Sequence, residues 1–126
     1  MMNYLSNNLV KEAHQHVEVV NFTEACDMLK EGINIIDVRE PEEYRKAAIP
    51  GAINIPRSVF EFMIKDHVNE KDRQKPHLIY CRSGGRAALA AVTMKNMGYE
   101  NVYAMYGGFE HWEKEGRRVK NNPTQD

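Results

Sequence analysis

Only two cysteines, Cys26 and Cys81, occur in 126 residues, and they stand far apart in sequence. Neither belongs to a C-x-x-C pair or to a run of metal ligands, so neither a zinc nor an iron–sulfur centre is expected, and no cofactor is. Long apolar runs are missing too. No stretch approaches the roughly eighteen consecutive apolar residues of a membrane span, and the N-terminal MMNYLSNNLVKEAHQH has no basic segment leading into an apolar one. A cytoplasmic protein without a membrane partner is the expectation. An excess of either charge is equally absent: 17 Lys and Arg against 18 Asp and Glu leave a net charge of -1. No overall field recruits nucleic acid or an acidic surface. His14 and His16 form a His-x-His pair without an evident third ligand, which reads as part of a solvated arm rather than as a metal site.

What is present suits one compact domain, with 42% hydrophobic and 28% charged residues. The expected organisation is an N-terminal arm over 1–16, a single domain over 17–119 and a frayed tail over 120–126. Within the domain, strands alternate with helices. Val17 to Val20 reads as a strand, and Asn21 with Glu24 has the spacing of a capping box that opens a helix to about Lys30, closed by Gly32. Phe22, Ala25, Cys26 and Leu29 share one face of it, so Cys26 is expected in the core. Ile33 to Val38 reads as a strand buried on both faces. Pro41 followed by Glu42 and Glu43 marks a first helical turn. Pro50-Gly51 predicts a turn, Ala52 to Ile55 a short strand, and Ser58 with Glu61 a second capping box. A charged loop over 66–75, a strand over 77–80, a helix from Arg86 to Met97 and a last strand over 102–105 follow. Gly107-Gly108 then leads into a helix in which Phe109 and Trp112 pack on the sheet. This alternation predicts a parallel α/β sheet with crossover helices.

Chemistry concentrates in Leu78-Ile79-Tyr80-Cys81-Arg82-Ser83-Gly84-Gly85-Arg86, where an apolar strand runs into a cysteine, a glycine pair and two arginines ahead of a helix. Gly84 and Gly85 permit backbone angles that turn successive N–H groups inward as an anion-binding nest. The helix N-terminus adds a partial positive charge of about half a unit. Both effects favour Cys81 as a thiolate. Arg82 and Arg86 carry planar forks suited to oxyanions, which predicts an anionic substrate. The position of the thiol at a strand's C-terminal end is where open α/β sheets bind ligands.

Four segments in order, Ile36-Asp37-Val38-Arg39-Glu40-Pro41-Glu42-Glu43-Tyr44, Ile49-Pro50-Gly51-Ala52-Ile53-Asn54-Ile55-Pro56, Tyr80 to Arg86, and Gly107-Gly108 with Trp112, resemble the rhodanese family, specifically its single-domain sulfurtransferases. The resemblance implies a rhodanese-like, five-stranded parallel sheet flanked by helices on both faces. It also implies that Cys81 accepts a sulfane sulfur as a persulfide and passes it to a thiophilic acceptor, in a two-step transfer through a covalent intermediate. The implied donor is a small anion such as thiosulfate or a persulfide donor protein, and the acceptor a thiol or cyanide. Backbone N–H groups of Arg82, Ser83, Gly84, Gly85 and Arg86 would cradle the persulfide, with Arg82 and Arg86 as anion-binding or loop-ordering groups. Asp37 and Arg39 resemble a supporting pair near the site, read most simply as an ion pair bracing the loop. One departure is Ala47-Ala48 where many members carry Gly-His.

Two other functions share the thiolate. Cysteine phosphatases use C-x5-R, whereas Cys81 and Arg86 stand as C-x4-R with Ala87 next, and no general acid is evident. A protein-to-protein persulfide carrier or a redox or sulfide sensor would use the same cysteine with little small-molecule turnover. The physiological donor and acceptor, the arginine that faces substrate and the oligomeric state are left open by the sequence.

Overall fold

A computed structural model describes residues 2–121 of the chain, with side chains from residue 8 onward. Its elements follow in chain order: α1 (Met2–His16), β1 (Glu18–Val20), α2 (Phe22–Lys30), β2 (Asn34–Asp37), α3 (Pro41–Lys46), β3 (Ala47–Ala48), β4 (Ile53–Asn54), α4 (Phe60–His67), β5 (His77–Tyr80), α5 (Gly85–Asn96), β6 (Val102–Met105), α6 (Gly108–Lys114) and β7 (Lys120–Asn121). The sheet has five parallel strands in the order β1-β6-β5-β2-β4.

Alternation along each strand divides the core in two, because successive side chains point to opposite faces. Ile36, Val38, Ile79, Cys81, Val102 and Ala104 face one layer with Phe60 and Ile64 of α4 and Ala87, Ala91 and Met94 of α5. Ile35, Leu78, Tyr80 and Met105 face the other, against Ala25 and Cys26 of α2, Tyr44 of α3 and Phe109 and Trp112 of α6. Both faces are covered, as a parallel sheet requires.

Local signals act as their spacing predicts at α2, where Glu24 N–H donates to Asn21 Oδ1 (2.8 Å) and Asn21 N–H to Glu24 Oε1 (2.9 Å). The second expected capping box does not form. Ser58 lies inside a 3₁₀ turn over Arg57–Val59, whose Val59 N–H bonds Pro56 O at 3.1 Å, and Glu61 instead pairs with Arg57 at 3.2 Å. The helix therefore starts at Phe60, two residues past the serine, with Val59 as an N-cap that makes no side-chain bond.

Described elements lie on either side of the expected domain bounds of 17–119. The segment read as an arm is helix α1, packed against α5 with Ala13 buried, while His14 and His16 are exposed. Its signal is present in the sequence, where Met2, Leu5, Leu9, Ala13 and Val17 follow helical spacing, and reading the segment as a solvated arm from its polar residues passes over it. At the other end, Lys120 and Asn121 leave the expected tail to pair antiparallel with Ala48 and Ala47. Residues 122–126 of that tail lie outside the described residues.

Candidate active site

From β2 the chain turns to α3 on one face of the sheet, and from adjacent β5 it turns to α5 on the other. Diverging connections at neighbouring strand ends leave a crevice at the C-terminal edge. Cys81 lies there, directly after β5, in a residue 1% exposed. Among the described residues, the N–H group that reaches its Sγ is that of Gly84, at 3.0 Å. Gly84 holds φ at +121°, a region that side-chain-bearing residues avoid, and it is the N-cap of α5. The loop thus turns one amide onto the sulfur and sets the thiol at the positive end of a twelve-residue helix.

The loop is clamped from the β6–α6 side. Phe109 N–H donates to Cys81 O at 2.8 Å and Glu110 N–H to Arg82 O at 3.0 Å. This approach demands glycine at 108: an added Cβ would stand 2.3 Å from Cys81 O and 2.8 Å from Arg82 O. The Gly107-Gly108 motif is therefore part of the site's construction.

The two loop arginines have different fates. Arg86 donates from Nη1 and Nη2 to the two carboxylate oxygens of Glu43 on α3, at 2.9 and 3.2 Å. Glu43 Oε1 also accepts the Glu40 N–H at 2.9 Å. The Arg86 hydrogen bonds, joined by the Glu40 amide, outweigh burial and hold the Glu43 carboxyl down at about 2. The same pairing raises the Arg86 pKa. Arg82 is exposed and meets Glu110 through one Nε···Oε2 contact of 3.0 Å. Ser83 is exposed, Gly84 buried and Gly85 half-buried, with room beyond Gly85 limited by Val10 of α1.

Asp37 and Arg39 do form a pair, and it is buried. Arg39 Nε and Nη2 donate to the Asp37 carboxylate at 2.8–3.1 Å, and Nη2 reaches Ala47 O at 2.7 Å. Burial opposes the charged guanidinium, but the hydrogen bonds and attraction of Asp37 outweigh it and raise its pKa. Tyr80 OH donates to Asp37 Oδ2 at 2.6 Å and accepts the Ile49 N–H at 3.1 Å. Burial and the Asp37 charge push this phenol well above its ordinary pKa. The Arg39 guanidinium lies over the Phe109 ring, 4.2 Å from its centroid. The pair thus ties β2 to the Ala47–Ile49 segment, to β5 and to α6. At the Ala47-Ala48 departure the contacts are made by the backbone: Ala47 O accepts from Arg39, and both alanines pair with β7.

Beside the loop is a cleft of about 420 Å³ with Arg39, Lys46, Arg82, Phe109, Glu110 and Glu113 in its walls. Cys26 and Trp112 lie in the core, and Trp112 Nε1 donates to Arg118 O at 2.9 Å. No group of three or more His, Cys, Asp or Glu among the described residues is placed to hold a metal. Tyr80, Glu43 and Glu110 escaped the sequence reading as site residues. Tyr80 reads as an ordinary strand aromatic, and the two glutamates as helix-surface acids.

Comparison with known proteins gives the same frame. The chain is 42% identical over 82 residues to the Bacillus subtilis (strain 168) "Putative sulfur carrier protein YrkF", covering 65% of this chain and 42% of that protein. It is 40% identical over 86 residues to uncharacterized protein YqhL of the same organism, covering 68% and 63%. It therefore spans less than two thirds of the length of either. Thiosulfate sulfurtransferase GlpE of Pseudoalteromonas translucida (strain TAC 125) is 33% identical over 102 residues, covering 80% of this chain and 90% of that one. Among solved structures, a Rhodopseudomonas palustris protein described as a possible tyrosine phosphatase superposes with a TM-score of 0.79 at 30% identity, covering 91% and 93% of the chains. Human single-domain sulfurtransferase TSTD1 superposes with a TM-score of 0.68 at 25% identity, covering 79% and 97%. Residues 21–115 match the Rhodanese-like domain. That match takes in the sheet from β2 onward, the Cys81 loop and its Gly108 clamp, and the chain belongs to the rhodanese family.

Proposed function

We propose that this protein is a sulfurtransferase that carries sulfane sulfur as a persulfide on Cys81. The observation that carries the reading is the position of Sγ at the C-terminal end of β5, under the Gly84 amide and at the start of α5. The thiolate attacks the outer sulfur of thiosulfate; a new S–S bond forms, the old one breaks, and sulfite leaves with the electron pair. Cyanide or a thiolate then takes the outer sulfur and returns Cys81 to thiolate. Sulfite leaves as a stable anion, so no general acid is needed, consistent with the absence of histidine from the loop. The thiosulfate sulfurtransferase named among the relatives supports thiosulfate as donor. Persulfide chemistry requires a reduced thiol, which suits a cytoplasmic setting.

The "Putative sulfur carrier protein YrkF" relative favours a second reading, in which Cys81 receives sulfur from a donor protein and hands it on. Phosphate transfer is disfavoured: Arg86, the arginine that would hold a phosphate, is bonded at both ends of its fork to Glu43. The test is intact mass after incubation of reduced protein with thiosulfate, beside Cys81→Ser. A gain of about 32 Da that needs Cys81 and is lost on adding cyanide is expected for a persulfide. No gain with thiosulfate, but a gain with a cysteine desulfurase as donor, would replace the enzyme by the carrier. Cys81-dependent hydrolysis of a phosphoaryl substrate would overturn both.

A further inference from the structure

The two guanidinium groups of the loop are held in contrasting ways. Arg86 makes two bonds to Glu43, whose carboxylate is itself anchored by the Glu40 amide. That pair is a fixed brace. Arg82 has one contact, from Nε to Glu110 Oε2, between side chains 67% and 56% exposed. Among the described residues no other hydrogen-bond partner of the Arg82 side chain occurs. Arg82 lines the cleft, and its two Nη groups make no hydrogen bond among the described residues, while Nε is occupied.

This contact is built in by the backbone. Glu110 N–H donates to Arg82 O at 3.0 Å, one step along from the Phe109 to Cys81 bond. The clamp that positions Cys81 therefore also sets the Glu110 carboxylate opposite the Arg82 guanidinium, in the wall of the cleft. A carboxylate and the oxygens of a sulfonate-like anion are recognised by the same planar N–H fork.

We propose that Glu110 is a specificity-determining residue, an internal anion that occupies Arg82 and that a small oxyanionic sulfur donor must displace. This rests on the reading that Cys81 takes sulfur from an anionic donor. Because both side chains are exposed, the pair is weak and exchange is readily reversible. Thiosulfate meets this competitor at the mouth of the site. A donor that delivers sulfur without engaging Arg82 does not. Glu110 thereby shifts preference away from small dianions.

The experiment follows Cys81 persulfide by intact mass at graded thiosulfate concentrations in a single turnover. Half-saturation and limiting rate are obtained for wild type, Glu110→Gln, Arg82→Gln and the double variant. Glu110→Gln is expected to lower the half-saturating thiosulfate about two- to five-fold, the worth of an exposed pair, with the limiting rate unchanged. In the Arg82→Gln background the same substitution is expected to have no effect. An unchanged half-saturation in Glu110→Gln overturns the proposal. So does an equal fall in the Arg82→Gln background, which would reveal only the general field of a removed carboxylate. Failure of wild type and every variant to form persulfide removes the underlying reading, and the proposal with it.

Discussion

The backbone of Phe109 is bonded to the backbone of Cys81: the Phe109 N–H lies 2.8 Å from the Cys81 carbonyl oxygen, across 28 residues of chain. The Cys81 main chain is thus held by the first turn of α6, and its side chain by the Gly84 amide. In the proposed reaction, fixing Sγ from both sides would lower the cost of orienting it for attack.

Gly108→Ala tests that clamp. The new methyl would stand 2.3 Å from Cys81 O, at a residue with φ of +54°, so either the loop or α6 must move. The expected result is a loss of stability of about 2–4 kcal/mol and a drop of about 100-fold in persulfide formation. Urea unfolding and the mass assay read the two effects separately. Gly51→Ala, where an added Cβ meets nothing within 4 Å, is expected to leave the loop chemistry intact while costing only its backbone strain.

Tyr80→Phe tests the buried network under the loop. It removes the 2.6 Å bond to Asp37 and leaves the Ile49 N–H without its acceptor. A loss of about 2–3 kcal/mol is expected, because the bond is made to a charged group and the amide left behind is buried. Persulfide still forms in the folded fraction, since Tyr80 and Cys81 face opposite layers of the core.

Glu43→Gln tests the brace on Arg86. The Glu43 carboxyl is held at about 2 against an ordinary 4.5. A depressed carboxyl contributes stability that is present above the unfolded value and is lost as pH falls through the folded one. Discounted for partial exposure, the contribution is about 1–2 kcal/mol. Thermal unfolding is expected to show wild type ahead of the variant at pH 7, with the gap closing between pH 4.5 and 2.

His77 governs a different range. It is fully buried at the start of β5, edge-on to Tyr99, and burial lowers its pKa, with the Lys75 charge adding to this while the Lys75 backbone and Asp72 oppose it. The folded state therefore binds this proton less readily than the unfolded chain, so stability is full above pH 6.5 and falls as pH drops below it. The urea midpoint of His77→Leu is expected to vary less than that of wild type between pH 7.5 and pH 5.5. An equal slope for both proteins would count against the assignment.

How much of this was legible in the sequence follows the range of each interaction. The Asn21–Glu24 box and the Pro41 helix start sit within one turn of the chain, and spacing alone specified them. Continuous apolar strands between helices determined a parallel sheet covered on both faces, and an apolar strand ending in Cys81 determined where the thiol would lie. Ser58 shows the limit of local reading: proline at 56 let a 3₁₀ turn take the serine, and Arg57 took the glutamate. Tertiary structure alone decided the pairing of Arg86 with Glu43 and of Tyr80 with Asp37, each 43 residues apart, together with the packing of α1 on α5 and the pairing of β3 with β7. Those contacts depend on where crossover helices set two distant strand ends side by side. A charged or phenolic side chain carries no mark of which distant group the fold will bring to it.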